Sequence, residues 1–290
     1  MRILVIGSTG MLGKCVMTEG KKIGLNVVGA SRSMSDFNID VRDEQALNYL
    51  FEKVRPDVVI NAAAIVNLAF CEKNIFDAYM TNARSVSFLS CLCRKYQSYF
   101  IQISTDHYYT GDTRKKHKEE EEVILLNEYA RTKYAGECFA AAYDNSLCIR
   151  TNIVGRRGKK GEPTFIEWLV DSLQSKRKIT VFDDFYTSSM HTKQLVKVIF
   201  DFLLKRPTGI INVSSSDVFS KKVFIEKVAT ALGFHETEFI VGSVHSLAGV
   251  ERGNSLGLDV NQVEQYLGYS MPNLKEVVEC IVNDYGEILL

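Results

Sequence analysis

Two side chains with a clear chemical use stand four residues apart, Tyr129 and Lys133, in a stretch from Asn127 to Tyr143 that reads as a helix. That spacing puts both on one helix face. A phenol with an ordinary pKa near ~10 is a poor proton donor and acceptor at neutral pH, and a neighbouring ammonium stabilises its anion. A Tyr-x-x-x-Lys pair is common, and two exposed helical residues are the plain alternative. Its position one segment after Ser104-Thr105-Asp106-His107, at the end of an apolar strand from Tyr99, gives it weight. In an open parallel sheet the ligand crevice lies beyond the carboxyl ends of the strands, where Ser104 and Thr105 would sit.

The elements that must position these groups begin at the amino terminus. The apolar run Ile3-Leu4-Val5-Ile6 leads into Gly7-Ser8-Thr9-Gly10-Met11-Leu12-Gly13. A strand ends there and a helix over 11–23 begins. Gly7 can take the positive φ of a tight turn, Gly10 lets backbone N–H groups approach a diphosphate, and Gly13 allows close helix–strand packing. The diphosphate would rest on the N-terminus of that helix. The spacing Gly-x-x-Gly-x-x-Gly is one residue wider in its first gap than the usual dinucleotide fingerprint, and a glycine turn that binds nothing is the alternative.

A second strand, Asn26 to Ala30, ends in Ser31-Arg32-Ser33. An acidic residue would hold the adenosine ribose here; Arg32 in its place suits a 2′-phosphate and hints at NADP, with an ordinary exposed arginine as the other reading. Phe37 to Val41 is a short extended piece in which Asp40 and Val41 could flank the adenine, followed by a helix capped by Asp43. The strand Asp57 to Ile60 runs into Asn61-Ala62-Ala63-Ala64, whose small side chains allow close backbone approach to a ligand or tight strand–helix packing. A long helical pattern from Glu72 to Tyr96 carries Asn82. The run 114–122, five basic or histidine residues followed by four glutamates, reads as a solvated mobile loop, with a lid over the site as the alternative. Beyond the strand Ser146 to Arg150 the strict alternation loosens. Helices are expected at 164–175, 192–204 and 220–232, and strands at 179–182 and 209–213.

With 290 residues, 46% of them hydrophobic, the chain can bury a full core. Its 35 basic and 35 acidic residues balance, so no overall field favours nucleic acid or an anionic membrane. No segment approaches the ~18 uninterrupted apolar residues of a membrane span, and a cytoplasmic location is expected. Seven scattered cysteines without paired C-x-x-C spacing read as reduced packing residues. The fold expected is α/β, a Rossmann-type doubly wound parallel sheet with a smaller C-terminal substrate-binding lobe. Residues 1–154, with 189–215 returning, would form the dinucleotide-binding domain, and 155–188 with 216–290 the smaller lobe.

The glycine loop, Asn61-Ala62-Ala63-Ala64, Ser104-Thr105-Asp106, Tyr129 through Lys133 to Gly136-Glu137, Arg150-Thr151, Gly155-Arg156-Arg157-Gly158, and the late stretch Asn254 to Asp259 before Leu267-Gly268-Tyr269 occur in one order. Together they resemble the extended short-chain dehydrogenase/reductase family, and within it the dTDP-4-dehydrorhamnose reductase group, nearly end to end. The resemblance implies a catalytic set of Thr105, Tyr129 and Lys133, and reduction of the C4 ketone of a nucleotide-linked 6-deoxyhexose in cell-surface polysaccharide biosynthesis. It implies NADP or NAD held by Gly7, Thr9, Gly10, Met11, Leu12, Gly13, Arg32, Asp40, Val41, Asn61, Ala62, Ala63, Ala64, Asn82, Ser104, Tyr129 and Lys133. Asp106, His107, Asn152 and Arg252, with Thr105, would line the sugar-nucleotide side, and Phe185 and Tyr186 are candidate stacking partners for the base. Val66, Ile153 and Cys15 stand where the group has a substrate threonine, a sugar-facing tryptophan and a metal-linked dimer glutamate, so a related deoxysugar and no metal are expected. A homodimer is the expected assembly. An epimerase that keeps its cofactor bound, and a catalytically idle regulatory subunit of the same fold, are the alternatives; Asp106-His107 in place of an Asp-Glu pair argues against a dehydratase.

Overall fold

The computed structural model describes residues 1–159 and 163–285; the last five residues of the expected lobe lie outside these. The elements in chain order begin β1 (Arg2–Ile6), α1 (Met11–Lys22), β2 (Asn26–Ser31), β3 (Phe37–Asn38), α2 (Glu44–Val54) and β4 (Val58–Asn61). Then come α3 (Leu68–Lys73), α4 (Ile75–Tyr79), a π-helical turn Met80–Arg84, α5 (Ser85–Tyr96), β5 (Tyr99–Ile103), α6 (Glu128–Ala141) and β6 (Ser146–Arg150). The remainder comprises β7 (Ile153–Val154), α7 (Phe165–Gln174), β8 (Ile179–Phe182), β9 (Tyr186–Thr187), β10 (Met190–His191), α8 (Thr192–Lys205) and β11 (Gly209–Asn212). It closes with β12 (Phe219–Ser220), α9 (Lys221–Ala231), β13 (Phe239–Gly242), β14 (Ser255–Leu256), α10 (Asn261–Leu267) and α11 (Leu274–Tyr285).

Two compact units emerge. The first holds residues 1–105, 125–150 and 196–211; the second holds 106–124, 151–195 and 212–290. In the first, seven strands lie in the order β11-β6-β5-β4-β1-β2-β3, and the pairs among β1 to β6 are all parallel. Strand order reverses between β1 and β4, the switch point of a doubly wound Rossmann-type sheet. Parallel strands are covered on both faces and therefore read as continuous apolar runs. Ile3 to Ile6 are accordingly fully buried, and one face of the sheet packs Leu4, Ile6, Val59 and Phe100 against Leu47, Leu50, Phe51, Leu89 and Cys93 of α2 and α5. Asp43 caps α2 by accepting from the N–H groups of Gln45 and Ala46, as its position predicts.

The expected helix 72–96 is a broken rod. It starts earlier, at Leu68, capped by Asn67, and is interrupted at Asn74, whose φ of −130° is not helical. The π-helical turn 80–84 then adds a residue before α5. This widening presents Asn82 to the chain beneath it: its amide donates to Ile65 O at 2.9 Å and to Thr132 Oγ1 at 3.1 Å, and its oxygen accepts from Ile65 N at 2.8 Å. Periodicity sees the average pitch and misses the single inserted residue.

The second unit is built from short sheets, β7 with β10, β9 between β12 and β14, and β8 with β13. In the 114–122 run Arg114, Lys115, Lys116, Lys118, Glu120 and Glu122 are exposed, as a solvated loop requires, but His117 between them is not. His117 is 3% exposed, stacks on Tyr109 with ring centroids 4.2 Å apart, and contacts Ser255 Oγ at 3.2 Å and Glu121 Oε2 at 2.9 Å. Its carbonyl accepts from Asn212 Nδ2, and its backbone bridges to Leu258. Burial would raise the Glu121 carboxyl, but hydrogen bonds from His117 and Lys115 outweigh it and bring it down to about 2. One buried imidazole in the middle of the charge run holds the strap down.

Candidate active site

In the glycine loop, Gly7 has φ +79°, and a β-carbon there would lie 2.7 Å from Ala63 N. The turn that ends β1 is thus pressed against the alanines that end β4, at the switch point. Gly7 N and Ser8 N donate to Ala30 O, and Thr9 N donates to Ser31 Oγ at 3.1 Å, so β2 braces the loop from its other side. Ser8 Oγ reaches Ser35 Oγ at 2.6 Å. These serines carry no signal at the sequence level beyond their small polar side chains. Helix α1 begins at Met11 with Gly10 as cap, no side-chain cap hydrogen bond and no acidic residue in its first turn. An uncapped helix start with positive partial charge and glycine backbone fits a diphosphate. Arg32 is exposed just past β2.

Asp40 and Asn61, two of the expected cofactor contacts, have their polar atoms engaged by the protein. The Arg42 guanidinium grips the Asp40 carboxylate at 2.7 Å and, by hydrogen bonding, holds it below the usual carboxylate range. Asn61 is 1% exposed, donates to Gln102 Oε1 at 2.8 Å and accepts from Ala63 N. With Asn82 on Ile65, these amides set the path of the 61–65 chain. Val41 is largely buried.

Tyr129 and Lys133 share a face of α6, whose start is fixed by Asn127 accepting from Ala130 N. Both are buried, at 7% and 4% exposure, as is Thr105 at 3%. Helix α6 comes close because Gly136 has no side chain: a β-carbon there would stand 2.2 Å from Asn82 O. Lys133 Nζ donates to Ile103 O at 2.6 Å, which ties α6 to the last residue of β5, two before Thr105. Burial brings the lysine down from 10.5 to about 8, against the opposing charge of Glu137. The amine is therefore a cation at neutral pH with a proton it can lose just above.

In the second unit, Asn152 Nδ2 donates to Asp106 Oδ2 at 2.7 Å and Asn152 Oδ1 accepts from Ser189 Oγ at 2.7 Å. Asp106 is 1% exposed. Burial first, then the positive charges of Lys221 and Arg252, push the His107 imidazole down to about 4, so it is neutral at physiological pH. Lys221 was not singled out by sequence reasoning. Its Nζ lies 4.9, 5.8 and 5.7 Å from the ring centroids of Phe165, Phe185 and Phe224, and burial lowers it to about 8 against the pull of Asp106. A signal existed: α9 opens on Lys221 and Lys222 with no acidic residue in its first turn, against the helix dipole. Tyr186 lines a cavity of about 630 Å³ with Arg114, Asp183, Lys222 and Asn254; Arg114 sits 5.6 Å from its ring centroid. Phe185 instead packs on Lys221.

Comparisons with known proteins bear on the whole chain. The family model described as the RmlD substrate binding domain matches residues 1–286. The chain is similar to the probable low-salt glycan biosynthesis reductase Agl14 of Haloferax volcanii, 27% identical over 302 residues that cover 99% of this chain and all of that one. It is also similar to the dTDP-4-keto-6-deoxy-D-glucose reductase of Streptomyces niveus, 26% identical over 218 residues, 74% of this chain and 73% of the other. Among solved structures, the dTDP-4-dehydrorhamnose reductase of Bacillus anthracis in complex with NADP shares the fold, with a TM-score of 0.88 at 21% identity over 98% of this chain and 99% of that one.

Proposed function

Because the chain belongs to the family of the RmlD substrate binding domain, as its motifs suggest, we propose that it reduces the 4-keto group of a nucleotide-activated deoxysugar with NADPH or NADH. It is an oxidoreductase of the NAD(P)-dependent, RmlD-like kind. The observation that carries the finer reading is the buried face of α6, where Tyr129 and Lys133 stand together and Lys133 Nζ grips β5 two residues before Thr105.

When bound, the nicotinamide supplies hydride to the sugar carbon. Tyr129 then gives its phenolic proton to the ketone oxygen, and Thr105 donates a hydrogen bond to the same oxygen. The Lys133 ammonium stabilises the phenolate that remains. The Gly7 to Gly13 loop and the start of α1 would receive the cofactor diphosphate, and Arg32 a 2′-phosphate. Asn61 and Asn82 act through the backbone they hold, since their amides are bonded to protein groups. In this reading the first unit holds the cofactor. The second holds the sugar nucleotide through Asp106, His107, Asn152 and Arg252, joined by Lys221. His107, neutral at physiological pH, would serve there as a hydrogen-bonding group. Synthesis of cell-surface polysaccharide and a homodimeric assembly belong to the same proposal.

The test is direct. Purified protein is mixed with NADPH or NADH and a panel of nucleotide-linked 4-keto-6-deoxyhexoses, and cofactor oxidation is followed by absorbance with analysis of the sugar product. Turnover that disappears in Tyr129→Phe supports the assignment. Cofactor that binds and copurifies with no net oxidation, but with inversion of a sugar centre, points to an epimerase. Binding without any sugar chemistry points to the regulatory subunit.

A further inference from the structure

One buried carboxylate is left without a part in this chemistry. Glu137 is 1% exposed and lies four residues after Lys133, one turn along the same face of α6. Arg150 of β6, 2% exposed, donates to it from Nη2 at 2.6 Å and from Nε to both carboxylate oxygens at 3.2 Å. A further contact is with the strand end: Ser104 Oγ donates to Glu137 Oε2 at 2.7 Å. Helix α6 therefore grips two consecutive residues of the chain just before Thr105, Ile103 through Lys133 and Ser104 through Glu137.

Stability is a poor reason for such a pair. Buried Arg–carboxylate pairs replaced by packed apolar side chains of similar volume commonly leave a fold as stable or more so. What an apolar pair could not do is hold a serine hydroxyl at the end of β5 and set a negative charge beside a buried lysine.

We propose that Glu137 is the positioning residue of this site, tying the strand end that carries Thr105 to the helix that carries Tyr129 and Lys133 and setting its charge against the Lys133 ammonium. The proposal rests on the reading of Tyr129 and Lys133 as the proton-handling pair. Lys133 is acted on by Glu137 of its own helix, Cys148 of β6 and the Ile103 carbonyl of β5, with Tyr129 on the same helix face and Arg150 bonded to Glu137. Burial of Lys133 favours the neutral amine, and the Glu137 carboxylate is the main opposing influence. Without it Lys133 would lose its proton at a lower pH, and a neutral amine stabilises no phenolate.

Two variants separate clamp from charge. In Glu137→Gln/Arg150→Met both charges leave together, so no buried ion is stranded, while the new side-chain amide oxygen replaces the carboxylate as acceptor for Ser104. Ser104→Ala keeps the charge and removes the hydroxyl. Lysine side chains carrying a ¹³C label at Cε report Lys133 ionisation by NMR, with Lys133→Met assigning the signal. In the double variant the Lys133 midpoint should fall, by less than loss of the Glu137 charge alone would give because the Arg150 cation leaves with it. The alkaline limb of turnover should move with it, so that kcat near neutrality drops roughly tenfold for each unit by which Lys133 passes below the assay pH. In Ser104→Ala the midpoint should stay and kcat should fall. An unmoved Lys133 midpoint in the folded double variant, or full kcat in Ser104→Ala, overturns the proposal; should the double variant not fold, Ser104→Ala decides. The NMR titration needs no turnover. Wild-type protein that reduces no sugar nucleotide therefore refutes the functional reading, while an active wild type whose Lys133 ignores Glu137 refutes this one alone.

Discussion

A β-carbon on Gly13 would lie 2.1 Å from the carbonyl oxygen of Gly7, both being backbone-locked where α1 starts against the end of β1. In an exposed helix interior, alanine in place of glycine is worth up to about 1 kcal/mol in favour of the fold. Here the sign reverses. Gly13→Ala should destabilise by about 1–3 kcal/mol through forced backbone movement, read as a lower denaturation midpoint, and should weaken NADPH binding in a fluorescence titration. A variant as stable as the parent would show that the loop can open without cost.

Lys133 and Lys221 each titrate at about 8 in the folded chain against an ordinary 10.5. Between those values the unfolded chain holds protons that the folded chain has released, so unfolding free energy rises with pH across this window. Below about 8 both amines are protonated in either state, and the cost of burying the charges is fully present. Urea unfolding as a function of pH should show this rise, and Lys133→Met should flatten it in part. Turnover should run the other way, falling above about pH 8 as the Lys133 ammonium is lost. Lys133→Met should lower kcat by at least about 10².

Arg32 is exposed just past the end of β2, where a 2′-phosphate would meet its guanidinium, and its charge also helps hold the Asp40 carboxyl down. A charge-assisted contact of this kind is typically worth ~1.5–3 kcal/mol, roughly ten- to hundredfold in affinity. Arg32→Ala should raise the Kd for NADPH by that factor and leave the Kd for NADH nearly unchanged. Equal losses for both cofactors would place the arginine elsewhere than at the phosphate.

His117 pins the 110–122 strap through its stack on Tyr109 and its contacts to Ser255 and Glu121. Removing them in His117→Ala should cost about 1–3 kcal/mol and free the segment around it. Limited trypsin digestion at Arg114, Lys115 and Lys116 should then run well ahead of the parent's, and an unchanged cleavage rate would mean that other contacts hold the strap.

Asn152 presents its amide to the Asp106 carboxylate, which is 1% exposed. Asn152→Leu leaves that carboxylate short of a donor and should cost about 1–3 kcal/mol, with a raised KM for the sugar nucleotide. Lost stability with an unaltered KM would confine the pair to a structural part.

Much of this molecule was legible in the amino-acid order because local physics writes it there. Ile3 to Ile6 are an uninterrupted apolar run since both faces of a parallel strand are covered, and Gly7, Gly10 and Gly13 mark a turn that tolerates no side chain at two of its three positions. Tyr129 and Lys133 declare their shared face by spacing alone, and Asp43 its helix start. The sequence by itself therefore determined the fold class, the family and the helix face that Tyr129 and Lys133 share.

The tertiary structure decided how these groups are held. No periodicity reveals that the long helix breaks at Asn74 and widens at 80–84, because one inserted residue is lost in an average pitch; only the packed fold shows Asn82 reaching Ile65 and Thr132. The charge run 114–122 is solvated by composition, yet His117 finds a ring and two acceptors or donors from residues as far away as 255. Glu137, Arg150 and Ser104 are ordinary when taken singly. They become a clamp because burial strips away water, and charges and hydroxyls that can no longer bond to solvent must find each other.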